Sequence, residues 1–247
     1  MRKARFYCEK ITPNADAVIN DVQQLRHLTK VMRLAKGDVV ELFDGKGTSA
    51  QAIIEKIAKD SALLKIQTLN TLTNRSNRRI IIASSEAKAQ RFELVIGKCT
   101  ELGIDRISPI IFERTVKQPD GKNVLRRYES IAVESAKQCQ RNFLPIIDCP
   151  QSFAHAIEQL PKEYPNAKII FGSLTQGAIS VINFDFDKED IIAFIGPEGG
   201  ATEAEENVLK ALNATPVKLT DTILRIETAA IAVGSILAVK RDLNPVD

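Results

Sequence analysis

The segment from Phe194 to Glu206 has the residue types of a ligand-binding loop. An apolar stretch leads into Gly-Pro-Glu-Gly-Gly at 196–200, and Thr202 and Glu205 then predict a capping box at the start of a helix. Glycines let a backbone approach a ligand closely, but a tight turn between a strand and a helix would use them as well. Three glutamates in the first helical turn would repel phosphate, and the Gly-Lys-Ser/Thr ending of a nucleotide loop is absent. The loop therefore predicts a neutral or cationic ligand.

A second polar segment, from Leu219 to Ala230, places Arg225 directly before a helix predicted to begin near Glu227. A planar, permanently charged guanidinium suits a phosphate or a carbonyl oxygen such as that of uracil. Alternatively, Arg225 and Glu227 pair with each other across the helix start, where the helix dipole favours the carboxylate. The pattern leaves both interpretations open.

A third segment is the helix predicted from Asn123 to Gln140, whose apolar stripe continues through Glu134, Gln138 and Arg141. Polar groups on a core-facing stripe need buried partners, which predicts that this end of the helix meets a functional cavity or a subunit interface. A solvent-exposed helix end is the alternative interpretation.

Charge is divided unevenly along the chain. Residues 1–79 carry 15 Lys/Arg against 8 Asp/Glu, whereas residues 80–247 carry 19 against 23. A basic N-terminal part predicts an anionic partner such as nucleic acid, although a basic solvated surface would have the same composition. His27, Lys30 and Arg33 are spaced by three residues and would share one face of a short helix.

Composition argues against several classes of protein. The histidines are His27 and His155 alone, which disfavours a histidine metal site or a Ser-His-Asp triad. The four cysteines make no CxxC pair, so neither disulfides nor structural zinc are expected. The N-terminus is charged and no apolar stretch reaches the roughly 18 residues of a membrane span, which predicts a cytoplasmic protein without a membrane segment.

Hydrophobic periodicity predicts two kinds of architecture along the chain. From Val39 to Gln67, short β-type runs flank an Asp-Gly turn and predict a small, mostly antiparallel β-module. The polar, arginine-rich residues 71–79 predict a linker. From Arg79 onward strands alternate with helices, which predicts an α/β fold with a mainly parallel sheet covered by helices on both faces. A ligand is expected at the carboxyl ends of its strands.

Several of these segments together resemble the family of 16S ribosomal RNA (uracil-N3)-methyltransferases. The matching stretches follow the order of the family over nearly the whole chain: His27 to Asp38, Lys98 to Gly103, Glu134 to Arg141 followed by Pro145, Ile195 to Gly200, and Ile223 to Ala229. The resemblance implies a PUA-like β-barrel for RNA binding over 1–72, a linker over 73–79 and a SPOUT methyltransferase domain with a C-terminal trefoil knot over 80–247. It also implies a homodimer that acts on 16S ribosomal RNA or on the assembled small ribosomal subunit.

The family binds S-adenosylmethionine in the knot, so the resemblance implies three cofactor loops, at 171–177, 195–200 and 219–224. The implied contacts are Gly172, Leu174, Thr175, Ile195, Gly196, Pro197, Glu198, Gly199, Gly200, Leu219, Thr220, Ile223, Leu224 and Thr228. Four residues depart from those usual in the family: Ala201, Thr220, Thr222 and Ile226. Backbone contacts to a cofactor would survive these substitutions. No metal is implied.

Methyl transfer to N3 of uracil requires in-line approach of the reacting atoms and loss of the imide proton. We expect Arg225 to stabilise the developing uridine anion and Glu198 or Glu227 to assist proton removal. Contacts with RNA phosphates are expected from His27, Lys30, Arg33, Arg75, Arg78 and Arg141.

Two other functions remain open at this point. A knotted methyltransferase could act on another RNA target, such as a ribose 2′-hydroxyl or a transfer RNA base. A non-catalytic RNA-binding or assembly factor could retain the fold, and it would neither bind S-adenosylmethionine nor need Gly199 and Gly200. A nucleotide-dependent oxidoreductase is set aside because no GxGxxG turn follows the strand at Ile80.

Overall fold

The computed structural model describes residues 3–13, 15–72, 78–87, 89–116, 123–186 and 188–243. The chain divides into two compact units, the first consisting of Met1–Arg75 with Ala136–Leu144 and the second of Ser76–Ser135 with Pro145–Asp247. The first unit thus contains a segment that lies well beyond the expected linker. The domain boundaries implied by the resemblance stay a prediction, and residues 73–77 of the linker lie outside the described residues.

The first unit is built on a five-stranded sheet. Its elements are β1 (Arg5–Tyr7), β2 (Asp16–Ile19), α1 (Val22–Arg26), β3 (Val39–Phe43), β4 (Thr48–Ile57) and β5 (Ala62–Thr71). The strand order is β1-β3-β4-β5-β2, and β1 with β3 is the one parallel pair among these strands, which confirms the predicted, mostly antiparallel module. The sequence pattern does not predict β1 and β2, because three or four residues are too few to show alternation.

The turn between β3 and β4 has the predicted hairpin chemistry. The Asp44 carboxylate accepts two backbone N–H groups of the turn, and Gly45 and Gly47 have left-handed φ angles of +72° and +107°, where a side chain would be strained. The Gly47 amide donates to the Asn142 carbonyl at 3.1 Å and the Leu144 amide to the Gly45 carbonyl at 2.8 Å. These bonds explain why the later segment belongs to the first unit.

The second unit is built on an eight-stranded sheet. Its strands are β6 (Ile80–Ser85), β7 (Arg106–Ile111), β8 (Ile146–Ile147), β9 (Gln151–Ser152), β10 (Lys168–Gly172), β11 (Ile179–Ser180), β12 (Ile191–Ile195) and β13 (Thr215–Lys218). The order is β11-β13-β10-β12-β6-β7-β8, with β9 beside β7. All pairs between these strands are parallel, which confirms the predicted sheet.

Helices cover both faces of this sheet. They are α2 (Ala89–Glu101), α3 (Val124–Cys139), α4 (Phe153–Glu163), α5 (Glu203–Ala211) and α6 (Ile226–Leu243). Ile81 and Phe194 pack with Phe153 of α4 and Leu209 of α5 on one face, and alternation along the strands sends their neighbours to the other face. There α6 packs against β6 and β12, and α2 against α6. No helix in the described ranges is long and apolar enough to cross a membrane.

A buried carboxylate joins the first strand of the second unit to its last helix. The Asp105 side chain accepts the Ile80 amide at 3.0 Å and the Arg241 guanidinium at 3.2 Å, and Asp105 is 4% exposed. Arg241 also donates to the Gly103 carbonyl at 3.1 Å. Since both partners are already partly desolvated, loss of the carboxylate would leave a poorly compensated charge.

We therefore expect Asp105→Ala to lower the free energy of unfolding by about 3–5 kcal/mol. Asp105→Asn, which keeps an acceptor oxygen, should cost less, and Asp185→Ala, at an exposed aspartate, should stay within about 0.5 kcal/mol. Chemical denaturation of the three variants measures these differences. Equal stability of Asp105→Ala and Asp185→Ala would contradict the structural role given to Asp105.

Candidate functional site

The carboxyl ends of β13, β10 and β12 meet at one edge of the parallel sheet. These strands are direct neighbours and run in the same direction, so the loops that follow them converge. Ligand sites in doubly wound folds lie at such edges. Here the loops enclose a cavity of about 490 Å³, which is within the size range of sites for small-molecule ligands.

Most of the predicted cofactor contacts come together in this cavity. Thirteen of them line it: Gly172, Leu174, Thr175, Ile195, Gly196, Pro197, Glu198, Gly199, Gly200, Leu219, Thr220, Ile223 and Leu224. Thr228, the remaining predicted contact, is exposed and does not line the cavity. Its neighbour Ala229, in the same turn of α6, does. Glu206 and Lys218 also line the cavity and were not predicted as contacts, because both lie outside the three cofactor loops that the resemblance implies. Contact with a cofactor stays a prediction for all of these residues.

The glycine-rich loop after β12 is folded tightly onto itself. The Gly200 amide donates to the Pro197 carbonyl at 2.8 Å. A Cβ added to Gly196 would lie 3.2 Å from the Ala201 amide nitrogen, closer than ordinary contact allows. Gly200 has a left-handed φ of +73°, so only a glycine adopts this turn without strain. The loop therefore presents backbone atoms to the cavity.

Glu205 ties this loop to the neighbouring part of the sheet. The predicted capping box with Thr202 is confirmed, since each side chain binds the backbone amide of the other residue. One Glu205 carboxylate oxygen accepts the Thr202 amide at 2.8 Å, and the other accepts the Glu113 amide in the turn after β7 at 2.9 Å. Glu205 is thus a buried structural residue. Of the three glutamates in the first helical turn, only Glu206 lines the cavity.

Arg114 holds the same loop from outside the predicted motifs. Its guanidinium donates to the Gly199 carbonyl at 2.7 Å across 85 residues of sequence. The residue follows β7, and no spacing in the sequence relates it to the glycine loop. Arg114 can reach the glycine loop because β7 and β12 lie on either side of the same strand, β6, in the sheet.

Two of the three predicted catalytic residues, Glu198 and Glu227, form ion pairs with the same arginine. Arg91, near the start of α2, lies 3.7 Å from the Glu198 carboxylate and 3.8 Å from that of Glu227. Glu227 is 8% exposed, and its second carboxylate oxygen is buried without a hydrogen-bond partner in the described ranges. Arg91 was not predicted, since it lies more than a hundred residues before either carboxylate in the sequence.

Arg225 does not join this group. Its side chain is exposed and lies outside the cavity lining, and its carbonyl accepts the Ala229 amide at 2.9 Å. Of the two interpretations left open by the sequence, the pairing of Arg225 with Glu227 is not seen among the described residues, where Glu227 instead contacts Arg91. The catalytic role of Arg225 stays a prediction.

The predicted RNA contacts of the first unit lie around a π-helical turn, His27–Val31, that follows α1. Lys30 and Arg33 are exposed, whereas the His27 ring is partly buried with its centroid 6.0 Å from that of Phe6. Arg33 has a left-handed φ of +53° and lies beyond the helical turn. The expectation of one helical face is therefore corrected: the helix ends before Arg33.

The predicted linker arginines differ in their surroundings. Arg75 lies outside the described residues. Arg78 is 3% exposed, and its guanidinium donates to the carbonyls of Arg241 at 3.1 Å and Phe186 at 3.0 Å. A phosphate contact by Arg78 does not fit this burial, and its role is corrected to a structural one. Arg79 binds the Asp190 carboxylate, which raises the pKa of the Arg79 guanidinium.

Two of the three polar residues predicted to meet a cavity or a subunit interface at the end of α3 are exposed on the single chain, and the interface stays a prediction. Glu134 and Gln138 are exposed, and the buried positions of the helix are Tyr128, Ala132 and their successors at helical spacing. Arg141 is partly buried and lies beyond the end of α3, following Gln140 at a φ of +65°. The apolar stripe therefore does not extend through the three polar residues, because the buried face runs through different positions.

A parallel sheet whose glycine-rich loops enclose a ligand-sized cavity defines an α/β protein with a cofactor-type site. A sequence model of the RNA methyltransferase domain matches residues 74–238, and one of the RNA methyltransferase PUA domain matches residues 19–67. The chain therefore belongs to the RNA methyltransferase family, as the resemblance of its motifs implies. The trefoil knot expected in its C-terminal part stays a prediction.

Known relatives and structures agree with this assignment. The chain is 31% identical to the ribosomal RNA small subunit methyltransferase E of Synechocystis, over 83% of this chain and 67% of that protein. It is 28% identical to that of Bacillus subtilis, over 90% and 89%. The crystal structure of the Neisseria gonorrhoeae methyltransferase E bound to S-adenosyl methionine is similar at a TM-score of 0.84 and 27% identity, over 97% and 98% of the two chains. A Legionella pneumophila methyltransferase in complex with the same cofactor is similar at 0.86 and 25%, with the same coverage.

The glycine loop offers a matched pair of substitutions. We expect Gly200→Ala to lower the free energy of unfolding by about 1–2 kcal/mol, because an alanine is strained at its left-handed φ. Gly199→Ala should stay within about 0.5 kcal/mol, since its φ is ordinary and the added Cβ would lie 3.7 Å from Arg114. Denaturation curves of both variants measure the difference, and an equal loss in both would contradict the conformational argument.

Proposed function

We propose that the chain transfers a methyl group from S-adenosylmethionine to N3 of a uridine in 16S ribosomal RNA. The observation that carries this proposal is the cavity of about 490 Å³, which gathers thirteen of the residues expected to contact the cofactor. The Synechocystis and Bacillus subtilis relatives are named as methyltransferases of small-subunit ribosomal RNA, and the Neisseria gonorrhoeae structure contains S-adenosyl methionine. The choice of uridine N3 rests on the resemblance of the sequence motifs.

The lining of the cavity suits this cofactor. Leu174, Ile195 and Leu224 provide apolar surface for a flat ring such as adenine, and the glycine loop provides backbone donors and acceptors. When bound, S-adenosylmethionine supplies an electrophilic methyl group on a positively charged sulfur. Glu198 and Glu206 line the same cavity, and carboxylates favour a nearby cation. This agrees with the ligand charge that the loop sequence predicts.

Charged residues in and near the cavity would activate N3 of the uracil base as the nucleophile. N3 of uracil lies between two carbonyl groups and is weakly acidic, so its proton must leave before N3 becomes a good nucleophile. We assign proton removal to Glu198, which is exposed and lines the cavity, with the buried Glu227 as the alternative. Arg225 is the cation expected from the sequence, although its side chain lies outside the lining.

The substrate in this proposal is held by the basic first unit. Lys30 and Arg33 are exposed there, and residues 1–79 carry the excess of positive charge. Neutralising RNA phosphates releases counterions, which makes binding strongly salt-dependent. We include in the proposal the homodimer that the resemblance implies, acting on 16S ribosomal RNA or on the assembled small subunit.

The reaction is tested by incubating the purified protein with labelled S-adenosylmethionine and unmodified small ribosomal subunits, followed by nucleoside analysis. We expect 3-methyluridine in the 16S ribosomal RNA and cofactor binding by calorimetry. Cofactor binding with a different methylated nucleoside, or with none, would overturn the assignment to uridine N3. Absence of both would support a non-catalytic RNA-binding protein.

The RNA contacts are tested by the salt dependence of binding. Replacing Lys30 and Arg33 together with alanine should make the slope of log association constant against log salt less negative by about 0.7–0.9 for each lost phosphate contact. Lys162→Ala, at an exposed lysine of the second unit, is the matched control and should leave the slope unchanged. Filter binding of small subunits between low and moderate salt measures these slopes, and an unchanged slope in the double variant would exclude both residues as contacts.

A further inference from the structure

A second, smaller cavity of about 110 Å³ lies in the second unit. It is formed by the residues after β6 and β7, the first turn of α2, the glycine loop and the start of α6. Its polar lining residues are Ser85, Glu86, Arg91, Arg114, Thr115 and Glu198, so two arginines and two glutamates line it, together with Pro197. None of the predicted site residues except Pro197 and Glu198 belongs to it.

This small cavity adjoins the larger one. The strand order β10-β12-β6-β7 is parallel throughout, so the carboxyl ends of β6 and β7 lie on the same sheet edge as those of β10 and β12. Pro197 and Glu198 line both cavities. A group bound in the small cavity would therefore be next to a ligand of the large one, as a transfer reaction between two substrates requires.

Arg91 places a guanidinium cation in the small cavity, where it forms ion pairs but leaves hydrogen-bond donors unused. Its nitrogens lie 3.7 Å from a Glu198 oxygen and 3.8 Å from a Glu227 oxygen, which are ion-pair distances and too long for hydrogen bonds. Within the described ranges its guanidinium therefore keeps N–H groups for a further acceptor. Glu227, whose second oxygen is buried without a partner there, lies outside the cavity lining and contributes a negative charge next to Arg91.

Three other polar residues that line the small cavity are held by hydrogen bonds. The Ser85 and Thr115 hydroxyls lie 2.9 Å apart, and the Thr115 hydroxyl accepts the Phe112 amide at 2.9 Å. Arg114 is fixed by its bond to the Gly199 carbonyl. A planar ligand would thus meet polar groups that are already held in place as well as Arg91, and preorganised groups of this kind stabilise a developing charge.

We infer that the small cavity is the acceptor pocket for a pyrimidine base with an imide group, and that Arg91 stabilises the deprotonated base there. The inference rests on the proposed function and names the site of its substrate. Loss of the imide proton spreads negative charge over the ring nitrogen and its two flanking oxygens, which a planar guanidinium matches. In the reaction the nitrogen–carbon bond forms as the carbon–sulfur bond breaks with its electron pair left on sulfur, and the imide proton passes to the Glu198 carboxylate.

The inference is tested with Arg91→Ala, the charge-conserving Arg91→Lys and the control Arg127→Ala, at an exposed arginine paired with Glu93. For each protein we would measure the melting temperature, the affinity for S-adenosylmethionine by calorimetry, and the single-turnover rate of methyl transfer to unmodified small subunits as a function of pH. The wild-type protein is measured first, because its cofactor binding and product identity test the proposed function independently of the variants.

We expect Arg91→Ala to bind S-adenosylmethionine within about twofold of wild type but to react on the order of 100-fold more slowly at neutral pH. Because a cation lowers the pH at which the base ionises, the midpoint of its pH–rate profile should move upward by about one to three units. Arg91→Lys should recover much of the rate with a profile close to wild type, and it serves as the test variant if the alanine variant does not fold. Arg127→Ala should match wild type in all three measurements.

Three results would overturn the inference. A normal rate in Arg91→Ala excludes Arg91 from the reaction, and a rate lowered equally at every pH assigns it a structural role. A wild-type product methylated on ribose, or on a base without an imide, excludes the proposed acceptor. A wild-type protein that does not bind S-adenosylmethionine would instead overturn the proposed function itself, and the inference with it.

Discussion

The parallel pairing of β13, β10, β12, β6 and β7 is the constraint on which the site depends. Parallel neighbours place their carboxyl ends at one edge of the sheet. The five loops that follow these strands are far apart in the sequence but all start at this edge. Both cavities lie along this edge and share Pro197 and Glu198. A single antiparallel strand in this row would send its following loop to the opposite edge and remove one wall.

Within that frame the glycine loop is held mainly through its backbone. The Glu205 carboxylate accepts the Thr202 amide, just after the loop, and the Glu113 amide, in the turn after β7. Arg114 donates to the Gly199 carbonyl. A ligand next to such a loop meets peptide groups, whose positions depend little on neighbouring side chains. Substitutions at lining positions such as Ala201, Thr220 and Thr222 would therefore leave such backbone contacts in place.

The charges of the second unit are arranged around the same edge. Arg91 neutralises two carboxylates at distances that leave the cation available to a ligand, while Glu206 faces the larger cavity. Arg91 lines only the smaller cavity and Glu206 only the larger one, whereas Glu198 lines both. The excess of positive charge in residues 1–79 is a property of another part of the chain, and it favours an anionic partner through long-range attraction.

The sequence patterns by themselves determined the longer elements, the parallel sheet and the capping box at Thr202, because periodicity and turn chemistry are local properties. Thirteen residues of the larger cavity were predicted through the resemblance of the motifs to a known family. Only the tertiary structure decided the partners that come from distant segments. Arg91 and Arg114 reach the glycine loop because β6 and β7 lie beside β12, an order that no local pattern encodes. The burial of Arg78 and the exposure of Arg225 were equally beyond the sequence, since an arginine is suited both to a surface phosphate and to buried carbonyls.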